Sequence, residues 1–321
     1  MNRENILSKI GKMSEEDVKD LARSTSDVET LNILAENENF KVRCTVAINK
    51  NTPVEKLTVL AQDENLWVRQ TVALNENTSV DVLAMLAQDE KCQVRSAVAK
   101  NKNTSVETLA MLASDKEAWT RWSVARNENT PIELLTILAQ DTDWRVHIDV
   151  AENKNTSIET LAMLASDKEW RVRCAVTGNI NTPIELLSVL AKDKFWKVRL
   201  LVAQHKNTPA DALIILAKDD YEEVRNAVAW NVNSPAEALA ELASDENDSI
   251  REGVACNDNT PIDKLAILYT DLNPAVRNGV ALNKNATPEI LAKLAKDEDK
   301  NVREAVAENP NTPSCTLKEL L

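Results

Sequence analysis

NTPIELLTILAQDTDWRVHIDVAE, residues Asn129 to Glu152, is a unit that most of the chain repeats. Its Asn-Thr/Ser-Pro/Ser opening returns at Asn51, Asn77, Asn103, Asn155, Asn181, Asn207, Asn233, Asn259 and Asn311, always a multiple of 26 residues apart, with a looser copy at Asn285. A fixed period of this length marks a solenoid, in which each repeat buries its apolar face on its neighbours. The spacing predicts two short helices per repeat. Ile132, Leu135, Leu138 and Ala139 fall on one helical stripe, and in the second half Val146 and Val150 stand four apart with Ala151 beside them. Helices of roughly ten residues are marginal alone in water, so stacking must supply the stability.

The joints follow the same register. In Thr130-Pro131-Ile132-Glu133 the threonine is expected to cap the first helix, with Pro at the first helical position and Glu reaching back. The box recurs as Thr52…Glu55, Thr104…Glu107, Thr156…Glu159, Thr182…Glu185 and Ser234…Glu237, with Asp in the acidic place at 81, 211 and 263. An Asp at 63, 89, 115, 141, 167, 193, 219, 245, 271 and 297 is placed to cap the second helix. An Asn at 49, 75, 101, 127, 153, 179, 231, 257, 283 and 309 ends it, a residue that tolerates the left-handed backbone. Residues 1–24 break the period but keep helical spacing and read as an N-terminal cap. Residues 25–310 then hold eleven tandem repeats, and 311–321 a final half-repeat with Leu317 and Leu320 in register.

Composition agrees with an all-α chain. There are four glycines, no apolar run of membrane-spanning length, and charges in Met1 to Gly11 where a signal peptide would be apolar. The five cysteines stand at 44, 92, 174, 256 and 315, too far apart in a solenoid to bridge, so reduced thiols and a cytoplasmic protein are expected. The net charge of −13 is uneven: residues 207–321 hold 11 basic and 21 acidic side chains, against 13 and 14 in 103–206. That acidity disfavours a polyanion as partner.

The units Asn-Thr-Pro-x-Glu-x-Leu-x-x-Leu-Ala-x-Asp and Trp-x-Val-Arg-x-x-Val-Ala-x-Asn resemble the bacterial leucine-rich repeat variant, and the Asp…Val-Arg segment also resembles HEAT repeats, over about residues 25 to 321. The resemblance implies a right-handed superhelix of paired helices used for macromolecular recognition. The repeat here is longer than that family's usual one, which leaves room for a full α-helix where the family is associated with a 3₁₀ segment. Some members carry a cysteine cluster for an iron–sulfur centre before the repeats. No Cys precedes Cys44 here, and no cofactor or metal is expected.

Two histidines on different repeats, His147 and His205, and no phosphate-cradling glycine loop make a poor inventory for an enzyme. The arginines at 43, 69, 95, 121, 173, 199, 225, 251, 277 and 303 could form a cationic stripe for phosphates. From Arg69 onward each follows an Asp by six residues, however, and in HEAT repeats a pair so spaced resembles an internal Asp–Arg ladder. Positions that vary between repeats are the better candidates. One residue after the arginine come Cys44, Gln70, Ser96, Trp122, Ile148, Cys174, Leu200, Asn226 and Glu252; two before it come Trp67, Trp119, Arg145, Arg171, Lys197 and Glu223. Trp119, Trp122, Arg145, Ile148, Arg171, Cys174, Lys197 and Leu200 therefore outline a Trp/Arg-rich face on repeats four to seven. Trp144, Trp170 and Trp196 stand one repeat apart, as inter-repeat packing or as the rim of that face, and His147 and Asp149 break the repeat rules beside it. The expectation is a non-enzymatic, monomeric scaffold that binds a protein or peptide and no membrane. The alternative is a nucleic-acid binder using the Arg/Lys strip and Trp stacking.

Overall fold

The computed structural model describes residues 3–320, with side chains through Lys318. Among them are 25 α-helices and no strand. Two compact units divide the chain, Met1–Leu164 and Ala165–Leu321. In the first, a helix of seven residues such as Val54–Leu60 alternates with one of nine such as Leu66–Leu74. In the second the same alternation gives Ala210–Leu216 with Glu222–Trp230 and Ala236–Leu242 with Asp248–Cys256. The nine-residue element is a full α-helix, as the long repeat allows.

The core follows the stripes expected from the period with one correction: Ile132, expected on the buried stripe with Leu135, Leu138 and Ala139, is exposed at the first helical position, as are Val54, Val80, Val106, Ile158 and Ile184, because that end of the short helix projects beyond the neighbouring repeat's cover. Leu57 and Leu60 from a first helix, with Val68, Val72 and Ala73 from a second, are almost wholly buried, and so are Leu213, Leu216, Val224, Val228 and Ala229 in the second unit. Each such Leu or Val side chain contributes about 1.5–3 kcal/mol on burial, which is how helices this short persist. At the N-terminus Arg3–Ile10 and Glu15–Ser24 bury Ile6, Val18 and Ala22. The side chain of Leu320, expected in register with Leu317, lies outside the described residues.

Three joints differ from their expected chemistry. The threonine before the first helix does not cap it. Thr130 Oγ1 donates instead to the Val124 carbonyl at the end of the preceding helix, and Thr52, Thr104, Thr156, Thr182 and Ser234 do the same to their own valines, at 2.5 to 2.6 Å. The cap position falls one residue later, where Ser79 and Ser105 accept from a backbone N–H and Pro131 or Pro235 makes no such bond. The buried Thr130 hydroxyl supplies a second donor to a helix-end carbonyl that already accepts the Asn127 N–H at 3.0 Å, filling both of its acceptor sites.

The aspartate before the second helix is likewise not the cap residue. Asp63 Oδ1 accepts the Asn65 N–H at 2.9 Å, and Asn65 then accepts the Trp67 N–H. The terminal asparagines are not left-handed: Asn49 and Asn231 have extended backbones, and no described non-glycine residue has positive φ. Their side chains explain the choice. Asn231 Nδ2 donates to the Ala203 carbonyl one repeat back at 2.7 Å, while its Oδ1 accepts the Asn233 N–H at 2.9 Å. Asn75, Asn101, Asn127, Asn257 and Asn283 repeat both bonds.

Candidate binding surface

The arginine series is an internal ladder. Arg43, Arg69, Arg95 and Arg121 in the first unit, and Arg173, Arg199, Arg225, Arg251 and Arg277 in the second, each place Nε 2.5 to 2.7 Å from an Asp carboxylate 20 residues on. The arginine side chains are only 5 to 18 % exposed and those of the aspartates 5 to 9 %. Nη1 turns the other way: in Arg225 it donates at 2.8 Å to the carbonyl of Asp219, six residues back. The fork geometry of guanidinium is thus used on both sides. Burial pushes the Asp63, Asp89, Asp115, Asp141, Asp193 and Asp271 carboxyls up, but the arginine bond, a backbone N–H and the surrounding cations outweigh it and hold them below the ordinary carboxylate range. At position 147 a histidine stands in the ladder's place, its Nε2 2.7 Å from the Asp141 carbonyl oxygen.

With the third and fourth positions of each second helix committed to core and ladder, the second, fifth and ninth positions lie on a neighbouring stripe. In the first unit Trp119 is 56 % exposed and Trp122 half-buried, their rings 5.5 Å apart, with Lys100 Nζ 5.7 Å over the Trp119 ring. Arg145 is exposed, its guanidinium 5.2 Å over Trp144 and 3.1 Å from Asp143, and Ile148 is half-buried. Beneath this face Asp149 is buried, 3.4 Å from Arg126 Nε. Burial drives its carboxyl up to about 6 against the pull of Arg126.

In the second unit Arg171 and Lys197 are exposed, and Cys174 and Leu200 half-buried. Burial pushes the Cys174 thiol up to about 11, so it stays protonated at neutral pH. Trp170 and Trp196 do not stack on each other. Phe195 stands between them, 4.4 Å from Trp170 and 6.5 Å from Trp196, and Trp196 stacks on Tyr221 at 5.2 Å and 12°. Lys197 lies 5.3 and 5.6 Å from the Trp170 and Trp196 rings, and Arg171 is 4.6 Å over Trp170. Cations held over aromatic faces gain about 0.5–1 kcal/mol at exposed sites. Phe195 and Tyr221 were absent from the sequence-derived set, although both interrupt an otherwise polar series at the helix cap: Asn39, Asn65, Lys91, Glu117, Asp143 and Glu169 before them.

The position after the ladder arginine is therefore only half-open. Trp122, Ile148, Cys174 and Leu200 lean partly into the spaces between helices, and the freely exposed members of the set are Trp119, Arg145, Arg171 and Lys197. No helix among the described residues is long and apolar enough to cross a membrane.

No family model matches the chain, and no curated protein matches it in sequence. Among solved structures it is similar to a leucine-rich repeat variant with a novel repetitive structural motif, at 27% identity and a TM-score of 0.54, covering 69% of this chain and 88% of that one. Importin beta is similar at 12% identity and a TM-score of 0.36, over 99% of this chain and 50% of that one; a Kap121p mutant is similar at 12% and 0.35, over 95% and 50%. With its helix pairs returning every 26 residues, this chain is an all-α repeat solenoid, similar in structure to a leucine-rich repeat variant.

Proposed function

We propose that the chain is a non-enzymatic scaffold that binds a protein or peptide segment through the Trp/Arg-rich surfaces of repeats four to seven. Trp119, Trp122, Arg145 and Ile148 serve on the first unit; Arg171, Cys174, Lys197 and Leu200 serve on the second. The observation that carries this reading is the division of labour among the arginines. The ladder arginines are spent on the scaffold, whereas Arg145, Arg171 and Lys197 are exposed and held over tryptophan rings. Aromatic and Arg side chains displayed in this way are the types that dominate binding energy at protein interfaces.

The nucleic-acid reading loses its principal support with the ladder, because paired, buried guanidinium groups have no free valence for phosphates. Arg171 and Arg145 also have carboxylates beside them, Glu169 at 2.6 Å and Asp143 at 3.1 Å. The test is a titration of the full chain with a single-stranded oligonucleotide at low and physiological salt. The proposal expects weak binding that vanishes at physiological salt. Tight binding with a steep log–log salt slope, abolished by Trp170→Ala, would establish the nucleic-acid reading instead.

A further inference from the structure

The first helices of the first unit carry an exposed row that neither the core nor the Trp/Arg-rich surface uses. Val80–Leu86, Val106–Leu112, Ile132–Leu138 and Ile158–Leu164 come from four successive repeats. They lie side by side: the Thr136 and Thr160 hydroxyl oxygens of the last two are 3.0 Å apart. Their sixth residues, Met85, Met111, Ile137 and Met163, are 39 to 64 % exposed. The fold does not require an aliphatic side chain there. In the second unit the sixth residue of Ala236–Leu242 is Glu241 and that of Pro288–Leu294 is Lys293, both exposed. Four aliphatic side chains held in water, in line, at a place the repeat can fill with a charge, mark a contact surface. Three of them are methionines, whose unbranched, polarisable side chains adapt to the surface they meet.

Charge selects the occupant. One helical turn before each of these residues, on the same face, stands an exposed carboxylate: Asp81, Glu107, Glu133 and Glu159. None of the four helices contains a basic residue. An acid in the first turn suits the helix dipole, yet its outward charge goes unanswered: Glu107 and Glu159 are held below the ordinary carboxylate range by their own backbone N–H and by Ser105 and Ser157, not by a cation. A second copy of the chain would bring the same carboxylates against these, and an anionic membrane surface would be repelled as well. A polypeptide face that mixes aliphatic side chains with cations answers both features. Spacing favours a helix, because two of its turns rise about 10.5 Å, close to the roughly 8–10 Å between packed helices, so every seventh residue meets the next member of the row. We propose that this row is a docking site for a basic amphipathic helix of a partner protein, whose aliphatic side chains pack on Met85, Met111, Ile137 and Met163 while its Lys and Arg side chains meet Asp81, Glu107, Glu133 and Glu159. The site is independent of the Trp/Arg-rich surfaces, which are built on the second helices.

The probe is a fluorescein-labelled, alanine-based helical peptide of about 22 residues, long enough for four leucines seven apart, with Lys on both sides of the leucine face. It is titrated against the full chain by anisotropy beside two companions, one with Ser for Leu and one with Glu for Lys. The basic leucine peptide should bind at least about tenfold tighter than either companion. The double variant Met111→Glu, Ile137→Glu removes aliphatic contact without reducing the negative charge, and Glu133→Lys reverses a charge without touching the aliphatic row. The double variant should weaken binding by about tenfold and Glu133→Lys by about fivefold. Helical circular dichroism should be unchanged in both, since Glu241 already stands at the equivalent place in the second unit. Ile267→Glu, at an exposed sixth position between repeats that carry Glu241 and Lys293, should have no effect, and neither should Trp119→Ala, which reads the other surface separately. Equal affinity for the three peptides, or wild-type affinity in both the double variant and Glu133→Lys, overturns the proposal. So does sedimentation showing a dimer of the chain that the double variant returns to monomer, because the occupant is then a second copy.

Discussion

Single residues here divide into those that hold the repeat and those it leaves free, and burial decides which is which. Arg225 illustrates the first kind: its side chain is 15 % exposed, forked onto Asp245 and bonded back to Asp219. Arg225→Ala would strand a buried carboxylate, and an unpaired buried charge costs about 3 kcal/mol or more. Chemical denaturation should show that loss, whereas Arg145→Ala, at an exposed pair, should move stability by less than about 1 kcal/mol. Asp149 is the exception among buried acids. Its folded carboxyl titrates at about 6, above the ordinary 3.8, so the folded state takes up that proton more readily than the unfolded chain. Stability contributed by this group is therefore gained as pH falls from about 6 towards 4 and is absent above 6. Asp63 and Asp193 in the ladder have the opposite sign, and their contribution is lost only as pH falls below the ordinary carboxylate range. Asp149→Asn should stabilise the protein at pH 7 by about 2 kcal/mol and flatten the profile between pH 4 and 6. Urea unfolding at pH 5 and pH 7 checks it; an unchanged difference between the two would show that Arg126 fully compensates the buried charge.

At the scale of elements, the stitching is periodic and each bond spans a fixed number of residues. The asparagine side chain reaches back 26 or 28 residues, and the arginine fork reaches forward 20. Removing a whole period keeps these bonds. In a chain lacking Asn233 to Asp258, Arg225 meets Asp271 in place of Asp245, and Asn283 meets the Ala229 carbonyl in place of Asn257. Nearest-neighbour stacking then predicts a folded protein whose helical circular dichroism per residue matches the parent, with a modest shift in melting temperature. Collapse of the helical signal would mean that contacts beyond neighbouring repeats hold the unit together. The sequence was most legible at this scale, because apolar periodicity reports the buried stripe directly: Leu135, Leu138, Val146 and Val150 lie where the spacing put them. The joints were misread for a physical reason. Thr130, Asp141 and Asn153 are residue types with several local uses, and sequence alone favours capping or a left-handed turn, whereas the solenoid supplies a neighbouring carbonyl or guanidinium within reach.

For the whole molecule, the repeated framework leaves the second, fifth and ninth positions of each second helix free to vary, and the binding residues proposed for the Trp/Arg-rich surfaces occupy the second and fifth. The exposed cations and Trp119 were legible there because they depart from the repeat at positions outside the core stripe. The half-burial of Trp122, Ile148, Cys174 and Leu200 was not, since it depends on how closely successive second helices approach. Phe195 and Tyr221 belong to the same lesson: a cap position filled by an aromatic ring announces packing between neighbours, which a single repeat read alone does not display. The central claim is that the exposed Trp/Arg residues bind a polypeptide while the buried ladder only supports them. The most direct measurement selects peptides from a displayed library against the full chain and then titrates the enriched peptides against wild type and a Trp119→Ala, Arg145→Ala, Arg171→Ala, Lys197→Ala variant. The account predicts that affinity falls by at least about tenfold in the variant while its unfolding free energy stays within about 1 kcal/mol of wild type. Enriched peptides that bind the variant as tightly as wild type would contradict it.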